Sequence, residues 1–244
     1  MKKITLFYYA LFSICLVSAQ NLLIVKSGDF YGILNNDGVI VLPPTYHSIE
    51  NFGAIKSGWA KVELDGKYGF INTDGEIVVD VKYDELGYFG DYHKNLLKIK
   101  KDGGFGFIDK SGSIVTQTVY DSIGMYGNYH KNWALVKLNQ LNGFIDTSGK
   151  EVIKPVYDLI EKFDIIKKGW ARISENGKYG FISREGRVVV TPKYLSVDAF
   201  DVYRKGWAKI GLENNKFGFI NSDGKEVVPP IYDDVELFKE TKNL

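Results

Sequence analysis

Four tryptophans carry the residue pattern best suited to chemistry. Trp59, Trp133, Trp170 and Trp207 each open a short alternating stretch, and three have a cation two residues on: Lys61, Arg172 and Lys209. In an extended strand residues i and i+2 share a face, so each indole and its cation point the same way. Alternation places Trp59, Lys61 and Glu63 on one face and Ala60, Val62 and Leu64 on the other. The second set is the expected core face. The first set, repeated at a fixed interval, has two readings. As a ladder, the rings and cations bind sugars by stacking, or anionic polymers by stacking and charge together. As packing, each indole covers a Tyr or Pro of the adjacent unit while the cation stem lies over its rim.

Weaker signals accompany the tryptophans. His93 and His130 occupy equivalent places in Tyr92-His93-Lys94-Asn95 and Tyr129-His130-Lys131-Asn132. Two imidazoles from adjacent units suit a metal, but no cysteine and no acidic ligand recurs beside both, and duplication of one unit explains the pair more simply. His47 stands alone and reads as a surface substitution. Asp37, Asp74 and Asp223 precede glycines as in a calcium loop, yet the dense acidic set that calcium requires is missing, and Ser111, Ser148 and Glu185 take that place elsewhere. Turn capping is the simpler role. No Gly-x-Ser-x-Gly elbow, no His-Glu-x-x-His and no phosphate-cradling loop occurs. A carboxylate pair in a cleft is the enzymatic route left open. The expectation is a non-enzymatic chain with no cofactor and no metal.

These residues belong to a repeated frame. The glycine of a Tyr-Gly-Phe-Ile core recurs at Gly32, Gly69, Gly106, Gly143, Gly180 and Gly218, an interval of 37 residues with one extra in the last unit. A turn glycine recurs at Gly38, Gly75, Gly112, Gly149, Gly186 and Gly224. Tyr46, Tyr83, Tyr120, Tyr157, Tyr194 and Tyr232 keep the same register, and an aromatic follows each six residues on. Six units result: 22–58, 59–95, 96–132, 133–169, 170–206 and 207–244. Such a period is the mark of a solenoid, propeller or array.

Within a unit the pattern predicts a strand over Trp59–Leu64, an Asp65-Gly66 hairpin turn, a strand over Lys67–Asn72, a turn ending at Gly75 and a strand over Glu76–Val79. Prolines such as Pro155 and Pro192 are expected to end the ladder, because proline has no amide to donate. The Tyr-Asp-x-Ile-x-x-Phe stretch closes the unit as a short strand or helical turn. One unit buries too little surface to fold alone, so stacked units must share a core, with the recurring Tyr and Phe filling the seams. The architecture expected is all-β: an open twisted array of six units, with a closed six-bladed ring as the alternative.

Gly58-Trp59, Gly169-Trp170 and Gly206-Trp207, followed by Lys-Tyr-Gly-Phe-Ile and Pro-x-Tyr-Asp, resemble the WG-repeat family over about residues 22–244. The pair is incomplete at Leu22, Leu96 and Asn132-Trp133. The resemblance implies a structural repeat and carries no catalytic residues onto this chain.

Residues 1–19 read as a signal peptide: Lys2 and Lys3, an apolar run from Ile4 to Val17, then Val17-Ser18-Ala19. Ile14 is a poor residue before a lipidated cysteine, so Cys15, the only cysteine, is expected to leave with the peptide. Cleavage after Ala19 takes the formal charge from +1 to −1, a balance with no drive towards nucleic acid. Residues 20–244 form one domain. The function expected is an exported scaffold that binds a protein, envelope component or glycan, placed outside the cytoplasm; carbohydrate binding by the Trp ladder is the alternative.

Overall fold

The computed structural model describes residues 22–236; the expected leader, residues 1–19, and the sixth closing aromatic, Phe238, lie outside them. Among the described residues no helical segment occurs, and 23 strands form six antiparallel sheets. The first sheet is β1 (Leu23–Ser27), β2 (Phe30–Leu34) and β3 (Ile40–Tyr46). The second is β4 (Ser48–Ile49), β5 (Trp59–Leu64), β6 (Lys67–Asn72) and β7 (Ile77–Tyr83). The third is β8 (Glu85–Leu86), β9 (Leu96–Lys101), β10 (Gly104–Asp109) and β11 (Ile114–Tyr120). The fourth is β12 (Ser122–Ile123), β13 (Trp133–Leu138), β14 (Leu141–Asp146) and β15 (Glu151–Tyr157). The fifth is β16 (Leu159–Ile160), β17 (Trp170–Glu175), β18 (Lys178–Ser183) and β19 (Val188–Tyr194). The sixth is β20 (Ser196–Val197), β21 (Trp207–Gly211), β22 (Phe217–Asn221) and β23 (Glu226–Tyr232).

The hairpin turns follow local chemistry. Asp65 and Gly66 both sit at positive φ, 52° and 74°, the mirror-image turn whose twist matches the strands it joins. Where the fourth sheet has Asn139-Gln140, the chain still adopts this turn, with Gln140 at φ 67°.

The third strand of each unit is longer than its sequence predicts. It runs Ile77–Tyr83 rather than stopping at Val79, and Pro155 and Pro192 lie inside their strands instead of ending them. Two facts permit this. The strand is the sheet edge, and its register slips: Asn142 pairs with Tyr157 but Phe144 with Ile153, so Pro155 lies in the bulge between the two pairs. The bulge also explains the core glycine. A Cβ on Gly143 would stand 2.5 Å from the Ile153 carbonyl oxygen and 2.6 Å from the Pro155 nitrogen.

The closing stretch belongs to the next sheet. Ser48 and Ile49 pair with Glu63 and Val62 across a unit boundary, and the same crossing recurs at each later boundary. Sheet and sequence unit are therefore offset, and each unit is stitched to its successor by backbone hydrogen bonds.

The sheets stack face to face, and their seams are the core. In the second seam Trp59, Phe70, Val79 and Tyr83 of the second sheet meet Leu86, Leu97, Ile99 and Ile108 of the third. Four further clusters repeat this composition between the other successive sheets. No cluster joins the sixth sheet to the first among the described residues, so the array is open. Stacking corrects the expected division of faces. Ala60 and Val62 are buried as foreseen, but Trp59 is buried too, because an inner sheet has a neighbour on both sides.

Candidate binding surface

Each tryptophan begins the first long strand of its sheet, held there by a tight turn in which its backbone N–H donates to the carbonyl three residues earlier, as from Trp170 to Lys167 at 3.1 Å. Three indoles are enclosed: Trp59 is 6% exposed, Trp133 7% and Trp170 9%. Trp170 lies against Phe181 at 5.3 Å between ring centroids and meets Phe200 edge-on at 5.8 Å. Trp59 and Trp133 repeat the pattern with Phe70 and Phe89, and with Phe144 and Phe163. Among the described residues Trp207 meets one ring, Phe219 at 5.6 Å, and is half-buried. The three enclosed rings thus form aromatic seams rather than an exposed ladder, because each is covered by the closing aromatic of its own unit, which stands beside the next sheet.

The predicted cations do not cover the indoles. Lys61, Arg172 and Lys209 reach instead over Tyr68, Tyr179 and Phe217, at 4.6, 4.8 and 4.3 Å from the ring centroids. Each also meets a carboxylate: Glu50 at 3.4 Å, Glu161 at 2.5 Å and Asp234 at 3.8 Å respectively. The cations over the indoles are others, Lys56 at 3.8 Å from Trp59, Lys167 at 4.2 Å from Trp170 and Arg204 at 4.5 Å from Trp207. Sequence reasoning missed them. The signal was present, since all three stand three residues before their tryptophan.

The same register accounts for the histidines. His93 and His130 occupy the place of Lys56, Lys167 and Arg204, and His130 lies 4.5 Å from Trp133. Among the described residues no group of three or more His, Asp or Glu side chains is close enough to hold a metal. His47 stacks on Phe30 at 4.9 Å, and its Nδ1 accepts a hydrogen bond from the Asp65 amide.

The turn acids also divide differently from expectation. Asp74 donates its amide to the turn, whereas the side chain of Asn72 accepts, taking bonds from the amides of Asp74 and Glu76 at 3.0 and 2.9 Å. Asp109 and Asp146 fill this role in the third and fourth sheets. Hydrogen bonds led by those from Ser111 hold the Asp109 carboxyl below its ordinary range, and those from Ser148 lower Asp146 against the opposing effect of burial.

One repeat breaks the cation pattern. Gly87 stands where Glu50 and Glu161 stand in their units, and Lys98, the counterpart of Lys61, forms no ion pair among the described residues. Lys98 donates to the Tyr92 hydroxyl at 3.0 Å and lies 4.0 Å from the Phe105 centroid, in a cavity of about 240 Å³. Exposed apolar side chains make a second regular feature. Ile40, Ile77, Ile114 and Val188 occupy equivalent positions at the starts of edge strands and all face solvent, while Glu151 and Glu226 take that position in the fourth and sixth sheets.

Comparison with known proteins agrees with the repeat. The family profile described as "WG containing repeat" matches six segments: 31–68, 68–104, 105–141, 143–179, 179–216 and 217–240. No functionally curated protein matches the sequence. Among solved structures, BamB from Moraxella catarrhalis is 12% identical, covering 84% of this chain and 71% of its own, with a TM-score of 0.25. PorZ from Porphyromonas gingivalis, described as a bacterial surface component of the type-IX secretion system, is 11% identical over 86% of this chain and 31% of its own, with a TM-score of 0.29. Hsv2 from Kluyveromyces lactis is 10% identical over 74% of this chain and 63% of its own, also with a TM-score of 0.29. Overlaps this low carry no argument about activity. Among the described residues no helix is long and apolar enough to cross a membrane.

Proposed function

The chain belongs to the WG-repeat family, and from that premise we propose that it is an exported, non-catalytic scaffold that binds a protein or envelope partner along its repeat surface. The observation that carries this reading is the row of solvent-facing Ile40, Ile77, Ile114 and Val188, one per edge strand. Exposed apolar side chains scattered singly need no explanation, but the same position left apolar and exposed in four sheets makes a repeated contact. Trp59, Lys61, Trp170 and Arg172 are engaged with neighbouring rings and carboxylates. Trp59, Trp133 and Trp170 are closed to a sugar ring, which weighs against glycan stacking at the ladder.

The test replaces Ile40, Ile77, Ile114 and Val188 together with Ser and measures recovery of crosslinked envelope proteins against the wild-type chain. Selective loss of one partner is the expected result, with the circular dichroism of the fold unchanged. Equal recovery by both chains would remove the row as the contact. Export is tested separately by intact mass after fractionation. A chain found in the cytoplasm with residues 1–19 attached would end that part of the proposal.

A further inference from the structure

The two ends of the array are complementary halves of one seam. Each inner sheet receives its short outer strand from the unit before it, yet the first sheet has three strands and no such partner on β1 among the described residues. At the other end, Asp234 and Val235 follow β23 as Ser196 and Val197 follow β19, but pair with no strand among the described residues. One end is a strand acceptor and the other a strand donor. We infer that a second copy of this chain docks head to tail, placing Asp234–Val235 of one copy against β1 of the next.

The register follows from the inner seams. Glu85 pairs with Lys100 and Leu86 with Ile99 at the third sheet. The corresponding pairs between copies are Asp234 with Lys26 and Val235 with Val25. The charge order is thus the same as in the Glu85–Lys100 ion pair of 2.7 Å. Opposite charges facing each other across strands favour this register, and like charges would oppose it. Asp234 is free to exchange partners, since its present contact with Lys209 is 3.8 Å long and the carboxylate is largely exposed.

The side-chain faces match as well. Tyr194 is 1% exposed beneath the sixth sheet, whereas Tyr232, its counterpart, is 49% exposed. On the first sheet, Leu23 is 55% exposed where Ala60 is fully buried. Leucine fits that place, because Leu97 occupies it in the third sheet and packs with Trp59. The turn glycines agree. A Cβ on Gly75 or Gly112 would come within 2.9 Å of the preceding sheet's Val41 or Val78 carbonyl, while Gly38 keeps the same positive φ and has nothing within 4 Å. A docked copy supplies that missing neighbour. Such an interface is heterologous, so it extends into rings or filaments rather than stopping at a symmetric dimer.

The experiment is sedimentation and light scattering of the full chain, expressed from residue 1 so that any processing takes place, over a wide concentration range. The expected result is a mass that rises with concentration through successive multiples of the monomer. Asp234→Lys and Lys26→Asp should each abolish the rise, and the chain carrying both should regain it. A mixture of Leu23→Asp and Val235→Asp chains should stop at one-to-one dimers, since each retains one functional end; the exposed Lys26→Asp change keeps the test valid if Leu23→Asp fails to fold. A wild-type chain that stays monomeric at every concentration overturns the inference, whether extended or closed on itself as a ring. A dimer that both single charge variants leave intact overturns it too.

Discussion

Gly143→Ala isolates the contact that defines the repeat. Gly143 is not at positive φ, so an alanine there meets no backbone penalty of its own. Its new Cβ would lie 2.5, 2.6 and 2.8 Å from the Ile153 carbonyl oxygen, the Pro155 nitrogen and the Lys154 carbonyl carbon. All three atoms are backbone, and the ring of Pro155 fixes φ, so no side chain can swing aside. The bulged strand must move as a unit by roughly half an ångström or more, which puts the change at about 3 kcal/mol, the upper end of overpacking costs. The same movement strains the bonds that the Asn142 amide donates to the carbonyls of Tyr157 and Asp158, at 3.2 and 2.8 Å. For a chain of this size about 3 kcal/mol lowers the melting temperature by roughly 6–12 °C. Thermal melts followed by far-ultraviolet circular dichroism read the shift. Gly28→Ala is the control: φ there is 59° with nothing within 4 Å, so only the left-handed backbone cost of about 1 kcal/mol applies. If Gly143→Ala melts with the wild type, or costs less than Gly28→Ala, the close approach is not what selects glycine.

Three further outcomes follow from the geometry. Gln140→Gly relieves a side chain held at φ 67° and should stabilise the chain by up to about 1 kcal/mol in a urea melt, the Asp121 side chain still accepting the residue 140 amide; no gain would mean that the turn is unstrained. Trp170→Ala should cost about 3–5 kcal/mol, and Trp207→Ala, where the indole is less enclosed, distinctly less; equal costs would contradict the burial pattern. Burial, reinforced by Glu151, raises the Tyr120 hydroxyl from 10.0 to about 12. A raised folded-state value favours folding below the unfolded pKa and is lost as pH climbs through the folded one. The melting temperature should therefore fall between about pH 10 and 12, with a shallower fall in Tyr120→Phe, and an unchanged slope in that variant would place the loss elsewhere.

The repeat and its turns were legible because they are local. Asp65-Gly66 states its own hairpin, and Gly32 through Gly218 count the units without reference to packing. The faces were not, because alternation reports only that a strand has two sides. Lys61 beside Trp59 reads as a wet face, yet its ammonium lies over the Tyr68 ring and meets Glu50, which lets the tryptophan face go inward. Pro155 read as a stop because the ladder's edge position and two-residue slip are properties of the pair of strands, not of either alone. Either Asn72 or Asp74 suits the cap in sequence, and it is Asn72 that accepts, since the proximity of Asp74 to Gly75 has no bearing on which side chain reaches the amides.

The consequence for function lies in this inward turn of both faces. In a sheet with one wet side, a repeated indole and cation would be a binding ladder. Here a neighbour on each side converts the same residues into adhesive between sheets, so recognition falls to what stacking cannot cover. That leaves the edge strands, where Ile40, Ile77, Ile114 and Val188 are exposed, and the two terminal faces, where Leu23 and Tyr232 are. Each of these edge strands carries a bulge, and β3 and β19 carry proline as well, so they resist pairing with other chains and are reserved for side-chain contacts. The β1 edge has neither safeguard in its five residues, Leu23–Ser27, and is the one described edge built to accept another strand.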